Sequence, residues 1–306
     1  MINFGIEQKN YFKFMTIGID VGGTNIKGVL LNNNKTFKKV RFKINSKSNK
    51  NLIIAQIFEV IETLKKRQKK INKIGIGVAG PVDFKNQKVL NPPNIPGLKN
   101  IYLGKIIKKK FGVKTVIDND VHCLVLAETI LGAAKGKKSV VGLALGTGVG
   151  GGIILNGKII HGAKGTAGEL GHMTIKKGGW KCKCGSRGCL EAYICERGQE
   201  KTAKEILGKS MSSIALQKSA EKGNKKALKA WDIIGENLGI GLANIVDTLN
   251  PEIIIIGGGL AWAGDLLLRP AKETMGENAL SPLAKKTKVV RAKLGKFAGA
   301  IGAALL

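Results

Sequence analysis

Acidic residues are scarce in this chain of 306 residues. Asp and Glu number 21 against 51 Lys and Arg, which leaves a formal net charge of +30. Only six of the basic residues are arginine. Base-edge readout favours the planar fork of Arg over the solvated point charge of Lys. Aromatics are also few, 5% of the sequence. They do not interleave with the basic clusters at Lys65-Lys66, Lys69-Lys70, Lys108 to Lys110 and Lys285-Lys286, so stacking platforms for single strands are missing. The charge therefore predicts a solvated surface and no nucleic-acid partner. Its positive field would attract an anionic substrate such as a nucleotide.

Long apolar runs are absent too. The longest uncharged apolar stretch, residues 140–155, contains six glycines and is too short to span a bilayer, so no membrane association is expected. Glu7 and Lys9 interrupt any apolar core of a signal peptide, which predicts a cytoplasmic protein. Cysteine is limited to five residues, three of them between positions 182 and 189. That clustering suits metal binding better than a disulfide framework. An apolar content of 43% excludes wholesale disorder.

Strands and helices alternate along the chain. Residues 1–15 read as an extension ahead of the fold. Residues 16–20 predict a strand, Gly22-Gly23 a tight turn, and residues 26–31 a returning strand. Residues 51–70 carry apolar positions at helical spacing with a basic end that complements the helix dipole. Residues 74–79 predict a buried strand ending at Gly80-Pro81. The segment 91–97 holds three prolines and must be a loop. A further strand at 113–117 runs into Asp118-Asn119-Asp120, with a helix over 121–131. Strands at 140–145 and 151–155 flank a second glycine turn, which echoes the first and suggests internal duplication. A long helix over 225–249 carries Gly235, Gly239, Gly241 and Ala243, where a neighbour must approach closely. A buried strand at 253–256 ends in Gly257-Gly258-Gly259. The pattern is α/β, with a compact boundary expected near residue 120.

Three constellations carry chemistry. The glycine turns at 22–23 and 146–148 would let backbone N–H groups approach phosphate oxygens. Neither matches the Walker pattern, and structural hairpins are the alternative. Asp20 at a strand end, with Thr24 just beyond, suits a Mg²⁺–phosphate group. Asp118-Asn119-Asp120 lies past a strand end, where α/β proteins place ligands. There a carboxylate can accept a hydroxyl proton, although Asx-rich turns also serve as helix caps. Finally, His172, Cys182, Cys184 and Cys189 supply one imidazole and three thiolates, a closed tetrahedral zinc set. Such a zinc is structural and fixes the nearby carboxylates Glu169 and Glu191.

Together these residues resemble the ROK family of sugar kinases and repressors. Its hallmarks occur in order: Asp20-Val21-Gly22-Gly23-Thr24, the Gly75 to Asp83 segment, Asn119-Asp120, the Leu145 to Gly152 segment, Gly168-Glu169-Leu170-Gly171-His172, the cysteine knuckle over 172–189, and Gly257-Gly258-Gly259-Leu260. The resemblance implies an actin-like, hexokinase-type (ribonuclease H-like) ATPase fold with two lobes around a cleft. The small lobe would be 16–120, joined by a C-terminal helix at 292–306, and the large lobe 121–291. Asp120 would be the catalytic base. Gly80, Asn94, Asn119, Asp120, Glu169, His172 and Glu191 would contact a hexose. Asp20, Gly22, Gly23, Thr24, Asn25, Lys27, Gly146, Thr147, Gly148, Gly257, Gly258 and Gly259 would bind ATP with Mg²⁺. The implied reaction is phosphorylation of glucose at O6. Kinases of N-acetylglucosamine, N-acetylmannosamine or fructose are the alternatives. A sugar-responsive repressor of the same family is disfavoured, because the first phosphate turn begins at residue 20. Self-association as a dimer or tetramer is also implied. His122, Cys123, Val121 and Leu98 depart from common family residues and leave the sugar open.

Overall fold

The structure is a computed structural model that describes residues 15–32, 35–44, 49–66 and 70–306. The expected extension therefore lies, apart from Met15, outside the described residues. Along the chain run β1 (Thr16–Val21), β2 (Asn25–Asn32), β3 (Lys35–Lys43), α1 (Lys50–Lys65), β4 (Lys73–Val78), β5 (Val82–Asp83), β6 (Lys88–Val89), α2 (Leu103–Phe111), β7 (Lys114–Asn119) and α3 (Asp120–Ile130). They are followed by β8 (Val140–Leu145), β9 (Val149–Leu155), β10 (Lys158–Ile159), α4 (Leu190–Ile194), α5 (Glu196–Leu207), α6 (Ser213–Glu221) and α7 (Lys225–Leu249). The last elements are β11 (Ile253–Gly257), α8 (Asp265–Asn278), β12 (Lys288–Arg291) and α9 (Ala298–Leu305).

Two compact units result. The first takes the chain up to Lys138, then Gly152–Gly168 and Lys293–Leu306; the second takes Ser139–Gly151 and Glu169–Ala292. This differs from a boundary at residue 120. Helix α3 stays with the first unit because Ala127 packs in one apolar cluster with Val29, Leu31, Ala300, Ile301 and Leu305. Residues 152–168 likewise belong to the first unit rather than to the second.

The sheet of the first unit has the order β3-β2-β1-β4-β7. β1, β4 and β7 are parallel, whereas β2 and β3 return antiparallel. Every residue of β1 is buried, as a strand covered on both faces requires. Helix α1 covers the sheet with Ile53, Ile57, Val60, Ile61 and Leu64, and Asn49 caps it by accepting the Leu52 N–H. Helix α9 lies close against the sheet. A Cβ at Gly18 or Gly75 would overlap the backbone carbonyls of Ala300 or Ala303, so only glycine admits this approach.

In the second unit β9 lies beside β8, which pairs in parallel with β11, itself parallel to β12. The far end of β9 belongs to the first unit and pairs there with β10. Helix α7 packs on α8 through small residues. A Cβ at Gly235 would collide with Pro270, and one at Gly239 would lie 2.5 Å from Thr274 Cβ. This is the close neighbour that the glycines of 225–249 anticipate.

Candidate active site and metal centre

The parallel register brings the first unit's polar residues to one sheet end. Asp20 of β1 stands opposite Gly77 of β4, which stands opposite Asp118 of β7. One residue further, Val21, Val78 and Asn119 form the next row. Gly77 leaves room for the turn into α3: its missing Cβ would lie 3.3 Å from Asp120 Cα.

Asn119 is the N-cap of α3, with Oδ1 accepting the N–H groups of Val121 at 2.8 Å and His122 at 3.3 Å. Its Nδ2 donates to Gly80 O at 3.1 Å. The capping role weighed for the Asx turn is thus real, and it fixes the first residue of the helix, Asp120. Asp120 also lies at the positive end of the helix dipole. Even so, burial, reinforced by the Asp20 carboxylate, pushes the Asp120 carboxyl up to about 7. Asp20 itself accepts from Lys27 Nζ at 2.8 Å. Its other oxygen has no hydrogen-bond partner among the described residues, which suits a cation held by one carboxylate and phosphate oxygens.

The loop of 91–97 closes on the same end. Gly80 has φ +140°, and a Cβ there would lie 2.7 Å from Pro92 Cα. A Cβ at Gly23 would lie 3.0 Å from Asn94 Cβ. Gly80, Asn94, Asn119 and Asp120 are therefore assembled with Asp20, Gly23 and Lys27 in one unit. Thr24 is exposed and gives its carbonyl to Ile44 N–H, while Asn25 Oδ1 accepts from Arg41 Nε at 2.9 Å.

The second unit assembles the remaining residues. The ligating atoms of His172, Cys182, Cys184 and Cys189 lie within 4.8 Å of one another. Cys184 Sγ is 3.7 Å from Cys189 Sγ, and Cys182 Sγ is 3.7 Å from His172 Nδ1. A tetrahedron with Zn–S bonds of about 2.3 Å has edges of about 3.7–3.8 Å, so the donors fit a zinc ion. Glu169 reaches His172 Nε2 only at 3.9 Å and is exposed. Glu191 sits deeper. Its Oε2 accepts the Val149 N–H at 2.9 Å, and its Oε1 lies 3.5 Å from Cys182 Sγ.

The second glycine turn is held by Gly146 N–H donating to Gly148 O at 2.9 Å and Glu196 N–H donating to Gly146 O at 3.0 Å. Thr147 Oγ1 donates to Glu196 Oε2 at 3.4 Å. Gly258 has φ +84°, and a Cβ there would overlap the Leu145 backbone, so the 257–259 turn is seated against the start of the 146–148 turn. At Gly146 and Gly259 a Cβ would meet nothing within 4 Å. The protein's own packing does not demand glycine there, which leaves the surface open to a ligand.

One cluster escapes the sequence reading. Asp118, at 1% exposure, accepts from three donors. Oδ1 takes Asn119 N–H at 2.7 Å and His122 Nδ1 at 2.9 Å, and Oδ2 takes His161 Nε2 at 2.7 Å. His122 Nε2 faces Ala167 O at 3.2 Å. Both ring nitrogens of His122 therefore meet acceptors, which requires the doubly protonated ring. Burial opposes that charge, but the Asp118 hydrogen bond and carboxylate charge raise His122 above its ordinary value. Those histidine bonds hold Asp118 low despite its burial. The Asp118–His161 partners stand 43 residues apart, so no local spacing signals them.

Comparison with known proteins assigns this arrangement first to a class. The fold is the mixed α/β fold of the actin-like ATPases. The ROK family profile matches residues 16–306, and the chain belongs to the ROK family. It is 33% identical over 307 residues to the glucokinase of Thermotoga maritima, covering 95% of this chain and 96% of that one. It is 32% identical to the N-acetyl-D-glucosamine kinase of Photobacterium profundum, covering 95% and 99%. Among solved structures it resembles a ROK family glucokinase from Streptomyces griseus in complex with glucose and AMPPNP. That match has a TM-score of 0.81 at 28% identity and covers 95% of this chain and 98% of the other. Among the described residues no helix is long and apolar enough to cross a membrane.

Proposed function

We propose that this chain is an ATP-dependent hexose kinase that phosphorylates the 6-hydroxyl of glucose. The observation that carries the reading is Asp120, a half-buried carboxyl raised to about 7 at the start of α3. A general base works best with a pKa near the operating pH. As the bond from O6 to the γ-phosphorus forms and the bond to the leaving ADP oxygen breaks, Asp120 takes the hydroxyl proton. Asn119 holds Asp120 in place as cap, and its second amide hydrogen is left for a sugar oxygen. Gly80, Asn94, Glu169, His172 and Glu191 are the further sugar contacts in this reading.

Phosphoryl transfer asks mainly for alignment and charge neutralisation. The turns at 22–25 and 146–148 and the 257–259 turn supply backbone N–H groups for the phosphates and the nucleoside. Lys27 supplies a cation beside Asp20. Mg²⁺, when bound with ATP, would be held by Asp20 and would neutralise phosphate charge. Zinc would be held by His172, Cys182, Cys184 and Cys189. It offers no open position for chemistry and serves to fix Glu169 and Glu191.

An N-acetylhexosamine is the second reading, favoured by the similar identity to an N-acetyl-D-glucosamine kinase. A coupled assay with ATP and a panel of glucose, N-acetylglucosamine, N-acetylmannosamine and fructose decides between them. Turnover highest on glucose supports the first reading, and no turnover on any sugar overturns both. Self-association as a dimer or tetramer and a cytoplasmic location accompany this reading as family expectations.

A further inference from the structure

The Asp118–His161 pair does more than close a core. It forms one wall of a cavity of about 480 Å³ that lies entirely within the first unit. The cavity shares no residue with the ATP and sugar contacts proposed above. Its volume falls in the range that holds a small molecule. Three features give it a ligand-binding character.

The walls are apolar, built by Leu126, Ile130 and Leu305. A half-buried polar group is aimed at it: His161, whose Nε2 is held by Asp118 at 2.7 Å and whose ring is stacked on Phe84 at 4.3 Å and 20°. The ring is thus fixed on two sides, and Nδ1 has no hydrogen-bond partner among the described residues. The mouth is basic. Lys85, Lys158 and Lys164 line it and are exposed. Three carboxylates share the lining: Asp83, whose oxygens accept from Asn86 at 3.0 and 2.8 Å, Asp118, whose oxygens are taken by His122 and His161, and that of Leu306 beyond α9.

An apolar hollow with three lysines at its mouth is complementary to a molecule with an apolar body and one negative end. The rim lysines meet the charge, the aliphatic walls cover the body, and His161 Nδ1 supplies a further polar contact. The protein's +30 balance adds a general attraction for anions. A bulk field alone, however, would not place an anion beside apolar walls. We propose that this cavity is a second ligand site, taking a small monocarboxylic acid with an apolar body.

Octanoate is the probe, titrated calorimetrically into the full chain, with octanol and octylamine as uncharged and cationic comparators. The proposal expects saturable binding of one octanoate per chain, at least about tenfold tighter than either comparator, a gap equal to about 1.4 kcal/mol. Ala163→Trp, on the exposed rim of the cavity, should weaken octanoate at least tenfold by filling the mouth. Lys285→Gln with Lys286→Gln, remote in sequence and not lining the cavity, should leave it unchanged. Octanol binding as tightly as octanoate overturns the charged end. A loss in the Lys285→Gln/Lys286→Gln variant with none in Ala163→Trp reduces the effect to bulk charge and overturns the site. So does displacement of octanoate by glucose or an ATP analogue, or absence of saturable binding at about 1 mM. None of these readouts depends on kinase turnover, so the site stands or falls apart from the proposed activity.

Discussion

The Glu191 carboxylate accepts the Val149 N–H through Oε2 while its Oε1 lies 3.5 Å from Cys182 Sγ. One side chain thus joins the cysteine cluster to the strand that leaves the 146–148 turn. A Cβ at Gly148 would lie 2.8 Å from Glu191 Oε2, so the turn is packed directly on the carboxylate. The cluster and the turn are closer partners than their separation in the chain suggests.

Removing the metal should therefore be felt mostly, but not only, by the sugar. One zinc per chain is expected by elemental analysis. Cys184→Ser should raise the sugar KM about 10–100-fold, the usual scale for disturbing a metal's supporting residues. Nucleotide affinity should fall by less, because only the Glu191–Val149 hydrogen bond carries the disturbance to the turn. Calorimetry with glucose and a non-hydrolysable ATP analogue compares the two losses. Equal losses would contradict this ordering, and unchanged sugar affinity would make the cluster a fold staple.

Asp120→Asn should lose at least about 10²-fold in turnover and keep sugar binding. The parent enzyme's kcat/KM should climb as pH rises through about 7, as the Asp120 carboxyl ionises. The same group affects stability with a definite sign. Its folded value lies above the ordinary 3.8, so the folded state binds more protons and stability falls as pH rises between those values. Asp120→Asn should remove that fall. Its melting temperature should exceed the parent's above pH 7, and the difference should vanish below pH 4.

Much of this frame is readable from local pattern. The apolar run of β8 and the 225–249 helix have the same bounds in sequence and structure, and β1, β4 and β11 agree to within a residue at each end. These elements are long, strongly apolar or sharply punctuated by Gly and Asn-Pro. β3 is not readable in that way. Its sequence KTFKKVRFK is dominated by lysines, and it becomes a strand because β2 offers a partner edge over Asn25–Asn32. The cysteine cluster is legible because its donors fall within 18 positions of each other. The Asp118–His122–His161 network is not, because tertiary approach alone unites its members. In sequence Asn119 suits a helix cap and a ligand contact alike, and the donor geometry at Val121 and His122 establishes the cap.

His122 supplies a stability test of the same sign as that of Asp120, in the pH window above 6.5. Its folded value is raised above 6.5. The stabilisation is thus fully present below 6.5 and is lost as pH rises through the folded value. Above it, one of the two contacts, to Asp118 or to Ala167 O, loses its proton. Asp118, lowered from 3.8, contributes above 3.8 and loses its part as pH falls through its own folded value. Denaturant midpoints measured across pH should show the alkaline decline in the parent and not in His122→Asn. A parallel decline in both proteins would assign it elsewhere.

Glycine substitutions separate packing from ligand contact. Gly258→Ala combines a positive φ with overlap of the Leu145 backbone, and should destabilise the fold by about 1–3 kcal/mol. Gly146→Ala meets no neighbour and has no positive φ, so the melting temperature should hold within about 2 °C. Nucleotide affinity should nonetheless drop, because the new methyl group stands where phosphate oxygens would approach. Unaltered nucleotide affinity in Gly146→Ala would remove that turn from the binding surface.

The backbone-to-backbone seat of α9 on β1 and β4 sets an order of events during synthesis. The sheet against which the helix rests is made from residues near the start of the chain, and the helix itself from residues 298–305. Glu128 reinforces the join by accepting the N–H groups of Ala133 and Leu294, at 2.8 and 2.7 Å. The first unit therefore cannot complete its core while the ribosome is still making the second. At about 5–20 residues per second, some ten seconds or more separate β1 from its covering helix. During that interval the glycine-lined face of the early sheet is bare, and a nascent chain of this protein is a natural client for a chaperone that shields apolar surface.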